Sequence, residues 1–234
     1  MTTRTEAVCV ILGGGGHAQV LVDSMQLSGA AIPHAILDGD RSRWGQTILG
    51  VPILGGDDLL PKLVSRGVNC FTVGLGGIGD NHPRQRLFEL GLSYGLEPLT
   101  VIHPAATCSQ WAEVGLGSQI FPGSIINAGA KLGRNVIVNS GAIVEHDCIL
   151  QDHVHVATGA RLASTVEVGV GAHIGAGATV KQCLTIGEGV IVGVGAVVVK
   201  NVPPHTVVVG SPARPLRLIE KAERVIPMQE EERP

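Results

Sequence analysis

The sequence predicts two units: a small α/β domain of the Rossmann kind over residues 1–101, then a triangular prism of short parallel strands over 102–214, closed by a short C-terminal helix and tail over 215–234. Two observations carry this. Residues 102–203 divide into 17 consecutive six-residue words without an insertion, with Ile, Leu or Val opening every word but the one that opens on Cys108. Upstream, apolar runs that read as strands alternate with stretches of helical spacing, the pattern of a parallel sheet with crossover helices.

Taken in order, the run AVCVIL at 7–12 reads as a buried strand ending in Gly13-Gly14-Gly15-Gly16-His17. A helix is expected over 17–27, where Val20, Leu21 and Met25 recur at helical spacing. A second strand at 35–37 ends at Asp38-Gly39-Asp40, and 44–56 reads as a loop with a short strand at 51–54. Asp57 stands where an acid would cap a helix reaching 66. A strand at 70–75 leads through GGIGDN to a helix over 83–94, and a last strand at 99–102 enters the repeats.

The period identifies the repeat. Six residues are too few for a helical hairpin, whereas Gly, Val and Ile at this density suit strands and tight turns. Each word supplies a strand and a corner, three words close one coil of 18 residues, and each coil buries its apolar side only against its neighbours. Residues after 215, with Leu216, Leu218 and Ile219, are expected to form a short helix capping the open end, because an uncapped coil exposes strand edges.

Composition narrows the function. A net charge of -3 excludes the basic footprint of a nucleic-acid binder. Five cysteines without a C-x-x-C spacing read as reduced thiols of a cytoplasmic protein. No apolar run reaches the ~18 residues of a membrane span.

Two motifs carry chemistry. Gly13, Gly15 and Ala18 fit G-x-G-x-x-[GA] between a strand and a helix, with Asp38 at the next strand's end. That pattern lets a pyrophosphate approach a helix N-terminus while an acid holds a ribose hydroxyl. The unit is little more than one mononucleotide-binding half, so a nucleotide diphosphate suits it better than NAD. The second motif is Glu145-His146-Asp147, on a corner where most words carry only Gly, Ala or Asn. A histidine between acids can act as a general base, and it can equally be a solvated surface residue. His146, His153, His155 and His173 invite a metal reading, but corner geometry separates the first from the last and no C-x-x-C or H-E-x-x-H accompanies them. No metal is expected.

The hexads, the run GAVVVKNVP at 195–203 and GSPAR at 210–214 resemble the hexapeptide-repeat acyltransferases, which implies a left-handed β-helix and a homotrimer. The N-terminal runs GGGGHAQVLVDSM, ILDGD and VGLGGIGDNHPRQRLFE resemble sugar acetyltransferases of the bacillosamine-pathway and sialic-acid O-acetyltransferase type. The resemblance implies acetyl-CoA as co-substrate and a nucleotide-linked (UDP or GDP) 4-amino-4,6-dideoxy sugar as acceptor, used in surface-glycan synthesis. It places Gly15, Gly16 and His17 on the diphosphate and Asp38 with Gly39 on the ribose or base. It makes His146 the base, supported by Asp147 and Asn139, and sets His155, Ala176 and Val194 against acetyl-CoA. His173 lies one coil beyond His155 and is expected to stack on it. The chain departs from the bacillosamine-pathway enzyme at Asp38-Gly39-Asp40, where that enzyme has two adjacent acids. O-acetylation of a sugar such as sialic acid, or of serine, is the alternative. A non-catalytic scaffold leaves the Glu-His-Asp triplet unexplained, and an NAD-dependent oxidoreductase rests on the glycine motif alone.

Overall fold

The computed structural model of the chain describes residues 7–77 and 79–219. The first unit is a six-stranded sheet built from β1 (Val8–Leu12), β2 (Ile32–Leu37), β3 (Thr47–Ile48), β4 (Val51–Gly55), β5 (Cys70–Val73) and β6 (Glu97–Pro98). Its order is β3-β4-β2-β1-β5-β6, parallel except for the β3–β4 hairpin. The helices are α1 (Gly16–Ser28), α2 (Leu60–Ser65) and α3 (His82–Ser93). β1 leads through α1 to β2 on one side, and β5 leads through α3 to β6 on the other. The connections therefore diverge between β1 and β5, and the crevice outside the carboxyl ends of these two strands is where such sheets bind ligands.

The repeats form a left-handed parallel β-helix with three faces. Strands stack in register at 18-residue steps, as in Gln119, Ile137, His155, His173 and Ile191 on the first face. Each strand comprises the last residue of one word and the first of the next. The first and fifth residues of the words point inward and fill the core from Ile120 to Val198 with aliphatic and small side chains.

The N-terminal domain does not stand apart from the prism. Val101, Phe121 and Ile137 of the first face share an apolar cluster with Ile11, Ala18, Leu21 and Met25, so α1 lies between its own sheet and the β-helix. At the other end of the contact Asn81 is buried, and its Nδ2 donates to the carbonyls of His153 (3.2 Å), Gly171 (3.0 Å) and Ala172 (3.3 Å). Asn81→Ala leaves these acceptors without that donor, and a loss of about 1–3 kcal/mol of stability is expected, read from the urea unfolding midpoint.

Four expectations change. The strand foreseen at 99–102 is two short strands in different sheets: Glu97–Pro98 completes the first sheet beside β5, and Val101–Ile102 opens the β-helix beside Gln119–Ile120. The segment 44–56 holds a complete hairpin. Asp57 is not a cap, because the turn leading into α2 opens on Gly56 and has no side-chain cap bond. At the C-terminus Arg214–Leu218 is a strand, antiparallel to Thr206–Val209, so the last coil is closed by a hairpin that pairs its edge. The rest of the expected helix, from 220 onward, lies outside the described residues. Among the described residues no helix is long and apolar enough to cross a membrane.

Candidate active site

The glycine turn sits at the crevice. Gly13 has φ 97°, and its N–H donates to the Leu37 carbonyl at 2.7 Å. The Gly14 N–H donates to Asp38 Oδ2 at 2.6 Å, and a Cβ on Gly14 would lie 2.9 Å from that oxygen. Asp38 Oδ1 accepts the Asp40 N–H at 2.8 Å, and Arg43 lies 3.8 Å from Oδ2. The acid thus ties the glycine turn to the end of β2 while its remaining lone pairs face the crevice. The cap of α1 is Gly15 with no acid in the first turn, which leaves the opening N–H groups at Gly15, Gly16 and His17 for an anion. A cavity of about 260 Å³ opens here, lined by Gly13–Gly15, Asp38, Gly39, Asp57 and Arg86.

The His17 side chain does not line that cavity. It turns to the β-helix, with Nε2 2.7 Å from Gln119 Oε1 and the ring edge-on to Phe121. Gln119 Nε2 donates to Thr72 Oγ1 (2.9 Å) and the Val73 carbonyl (2.8 Å), which fixes Oε1 as the acceptor and puts the proton on His17 Nε2. Burial, and then the positive charge of Arg84, push the His17 pKa down to about 4. Arg84 is itself buried, donating through Nη1 to the carbonyls of Val73 (2.9 Å) and Leu75 (2.8 Å), and burial lowers its pKa to about 9.

His155 faces the same interface. It is 5% exposed, with Nδ1 2.6 Å from the Gly77 carbonyl. A carbonyl only accepts, so Nδ1 carries the proton and Nε2 presents a lone pair, 3.4 Å from Asn139 Nδ2. Burial, then neighbouring His173, hold its pKa well below the ordinary value. The two rings meet edge-to-face at 4.9 Å, the stacking that the 18-residue spacing predicted. His153 stands on the corner just before His155: its Nδ1 lies 2.9 Å from Asn135 Nδ2 and its ring is edge-on to Phe88.

His146 and Asp147 occupy another corner. His146 Nδ1 is 2.8 Å from Asp147 Oδ2, and both side chains are more than half exposed. Asp147 sits at φ 59°, a position that most words give to glycine. That backbone folds the carboxylate back onto the preceding ring. Nδ1–H donates to the carboxylate and Nε2 is left with its lone pair open, the arrangement of an oriented proton acceptor.

One prism does not bring all the predicted residues together. Asn139, Ala176 and Val194 lie on the corner between the first and second faces, where Gly195 N–H bonds to the Ala176 carbonyl at 2.9 Å. His146 lies on the next corner, at the far end of the second face. Val194 is 81% exposed, and the N–H groups of Ala176 and Val194 have no partner among the described residues, so this edge offers backbone donors to an extended ligand. Among the described residues no group of three or more His, Cys, Asp or Glu converges as a metal site.

Sequence reading passed over Gln119, Arg84 and Asn81. The first was traceable as a polar residue at a strand position whose 18-residue neighbours are Val101 and Ile137. The other two sit on α3 and at its N-terminus, and nothing in their spacing marks them.

Residues 9–90 match the PglD N-terminal domain family. Comparison with curated proteins gives no match. Among solved structures, the chain is 38% identical to perosamine N-acetyltransferase from Caulobacter crescentus, covering 90% of this chain and 97% of that one with a TM-score of 0.84. That structure is a His-to-Asn mutant in complex with CoA and GDP-perosamine. The acetyltransferase domain of PglB from Neisseria gonorrhoeae is 34% identical over 90% of this chain and 100% of that one, TM-score 0.82. WeeI from Acinetobacter baumannii is 25% identical with the same coverage and a TM-score of 0.66.

Proposed function

The chain belongs to the hexapeptide-repeat nucleotide-sugar acetyltransferases, and from that premise we propose that it moves the acetyl group of acetyl-CoA to the amine of a nucleotide-linked 4-amino-4,6-dideoxy sugar in the cytoplasm, for surface glycan. The observation that carries the chemistry is the His146 ring, tied at Nδ1 to Asp147 at 2.8 Å and open at Nε2. The neutral amine attacks the thioester carbonyl, and Nε2 takes the proton as the N–C bond forms. The C–S bond then breaks, and the proton passes to the departing thiolate. Asp147 holds the tautomer and favours the imidazolium that forms.

The free N–H groups of Ala176 and Val194 support the pantetheine on their corner, with Asn139 and the Nε2 of His155 beside it. Gly15, Gly16 and the backbone of His17 take the diphosphate, and Asp38 with Gly39 takes the ribose. Because His146 lies one corner away from Asn139, a complete site takes one corner from each of two copies, as a homotrimer with sites between subunits supplies. The crevice at the glycine turn disfavours O-acetylation of a sugar without a nucleotide, which has no diphosphate to place there.

The test is thiol release from acetyl-CoA with UDP- and GDP-linked 4-amino-4,6-dideoxy sugars as acceptors. Release with one of them and none with the sugar lacking the nucleotide is expected. Release only with a free sugar's hydroxyl would move the assignment to O-acetylation.

A further inference from the structure

The cavity beside the glycine turn contains a carboxylate that nothing described so far employs. Asp57 follows β4, the strand next to β2, so it stands beyond Asp38 as seen from the glycine turn. It makes no cap bond to the helix it precedes, and its oxygens have no hydrogen-bond partner among the described residues. The other acid of the cavity, Asp38, already accepts from the Gly14 and Asp40 N–H groups and has Arg43 beside it. Arg86 lines the same cavity, and Leu37, Leu75 and Leu87 supply apolar walls. Burial raises the Asp57 carboxyl above its ordinary value while Arg86 counteracts this, as expected of a partly desolvated acid near a guanidinium.

The direction of the bound substrate follows from the fold. Its sugar must reach toward the β-helix, the side on which α1 and His17 lie. With the diphosphate at the glycine turn, the nucleoside is left to the opposite side, where α2 and α3 pack and the cavity opens. On that side Asp38, at the end of β2, is nearest the glycine turn, and Asp57 and Arg86 line the rest of the cavity.

Resting on the nucleotide-sugar reading above, we propose that Asp57 and Arg86 read the base and select guanine, making the acceptor a GDP-linked sugar. A carboxylate presents two parallel acceptors, and guanine is the base whose pairing edge sets two donors, N1–H and N2–H2, side by side, next to the O6 acceptor that a guanidinium can serve. Uracil sets one donor between two carbonyl oxygens, which a carboxylate repels. Adenine and cytosine each offer one donor beside an acceptor.

Calorimetric titration of the full-length protein with GDP, IDP and UDP tests this, for wild type, Asp57→Ala and Asp57→Asn. IDP keeps N1–H and lacks the 2-amino group. Wild type is expected to bind GDP roughly ten- to a hundred-fold more tightly than UDP, and about ten-fold more tightly than IDP. In Asp57→Ala the GDP and IDP affinities are expected to converge, with CoA binding unchanged. Equal GDP and IDP affinities in wild type, or a GDP preference that survives Asp57→Ala, overturns the role of Asp57. Binding of all three diphosphates without preference overturns base selection while leaving the nucleotide-sugar reading intact. Failure of every diphosphate to bind, with CoA still bound, removes that reading and this one together. Should Asp57→Ala not fold, the wild-type comparison of GDP with IDP still decides.

Discussion

His146→Ala is expected to lower kcat for acetyl transfer by about 10²- to 10⁴-fold, the range that a positioned general base contributes. KM for both substrates is expected to move by no more than a few-fold, because the ring is more than half exposed and its only described side-chain bond is to Asp147. Asp147→Asn keeps the shape but offers an amide where Nδ1–H finds a carboxylate. A smaller loss of kcat is expected there, because the amide orients the ring less well than the carboxylate that accepts from Nδ1–H. Measured kcat and KM across pH for the two variants check both statements. A kcat for His146→Ala within a few-fold of wild type would take the base role from His146 and pass it to the Nε2 lone pair of His155 beside Asn139.

Acidification is expected to loosen the union of the two domains. His17 in the folded chain has its pKa pushed down to about 4, against 6.5 in the unfolded chain. Above pH 6.5 both states are neutral at this site and stability is full. Between pH 6.5 and 4 the unfolded chain takes up a proton that the folded chain refuses, so stability falls as pH falls. Below 4 both states are protonated and the difference is constant. Integrated over that window, His17 alone costs on the order of 3 kcal/mol, and His155, shifted in the same direction, adds to it. Urea unfolding from pH 7 to 4 is expected to show the decline, and His17→Gln is expected to flatten it by about one proton. An unchanged slope in that variant would mean that the ring is solvated when folded.

The refusal has a structural cause. The ring is buried between the glycine turn and the β-helix, which penalises the charged form most; the positive charge of Arg84 adds to this, and the bond to Gln119 offsets only part of it. Protonating the ring puts a new charge into a buried place beside an existing one. The contact that joins glycine turn to β-helix is therefore built to be neutral.

Much of this was legible in one dimension. The six-residue period fixed the inward positions of the prism, and every first residue from Ile120 onward that the period placed inside is inside. The strand, glycine turn and acid that line the crevice were legible because backbone chemistry demands those residue types at those distances. The Glu-His-Asp triplet stood out because a corner rarely carries three such groups in a row. Two local expectations failed for local reasons. Asp57 had the spacing of a cap, yet its turn opens on Gly56, and Arg214–Leu218 found an unpaired edge at Thr206–Val209 that outweighed its helical spacing.

By itself, then, the sequence determined what repeats and what is short-range: the coil length, the core positions, the glycine turn and the adjacent His146–Asp147 pair. Only the tertiary structure decided which way side chains with two choices turn. His17 leaves the crevice for Gln119, 102 residues away; His155 is held by Gly77, 78 residues away; and the Asp57 carboxylate is released into the cavity. The physical reason is that a period specifies which residues share a face, whereas what covers that face is set by where another unit docks. Here the N-terminal domain settles on the first face of the prism, and that contact buries two histidines that spacing alone would have left in solvent.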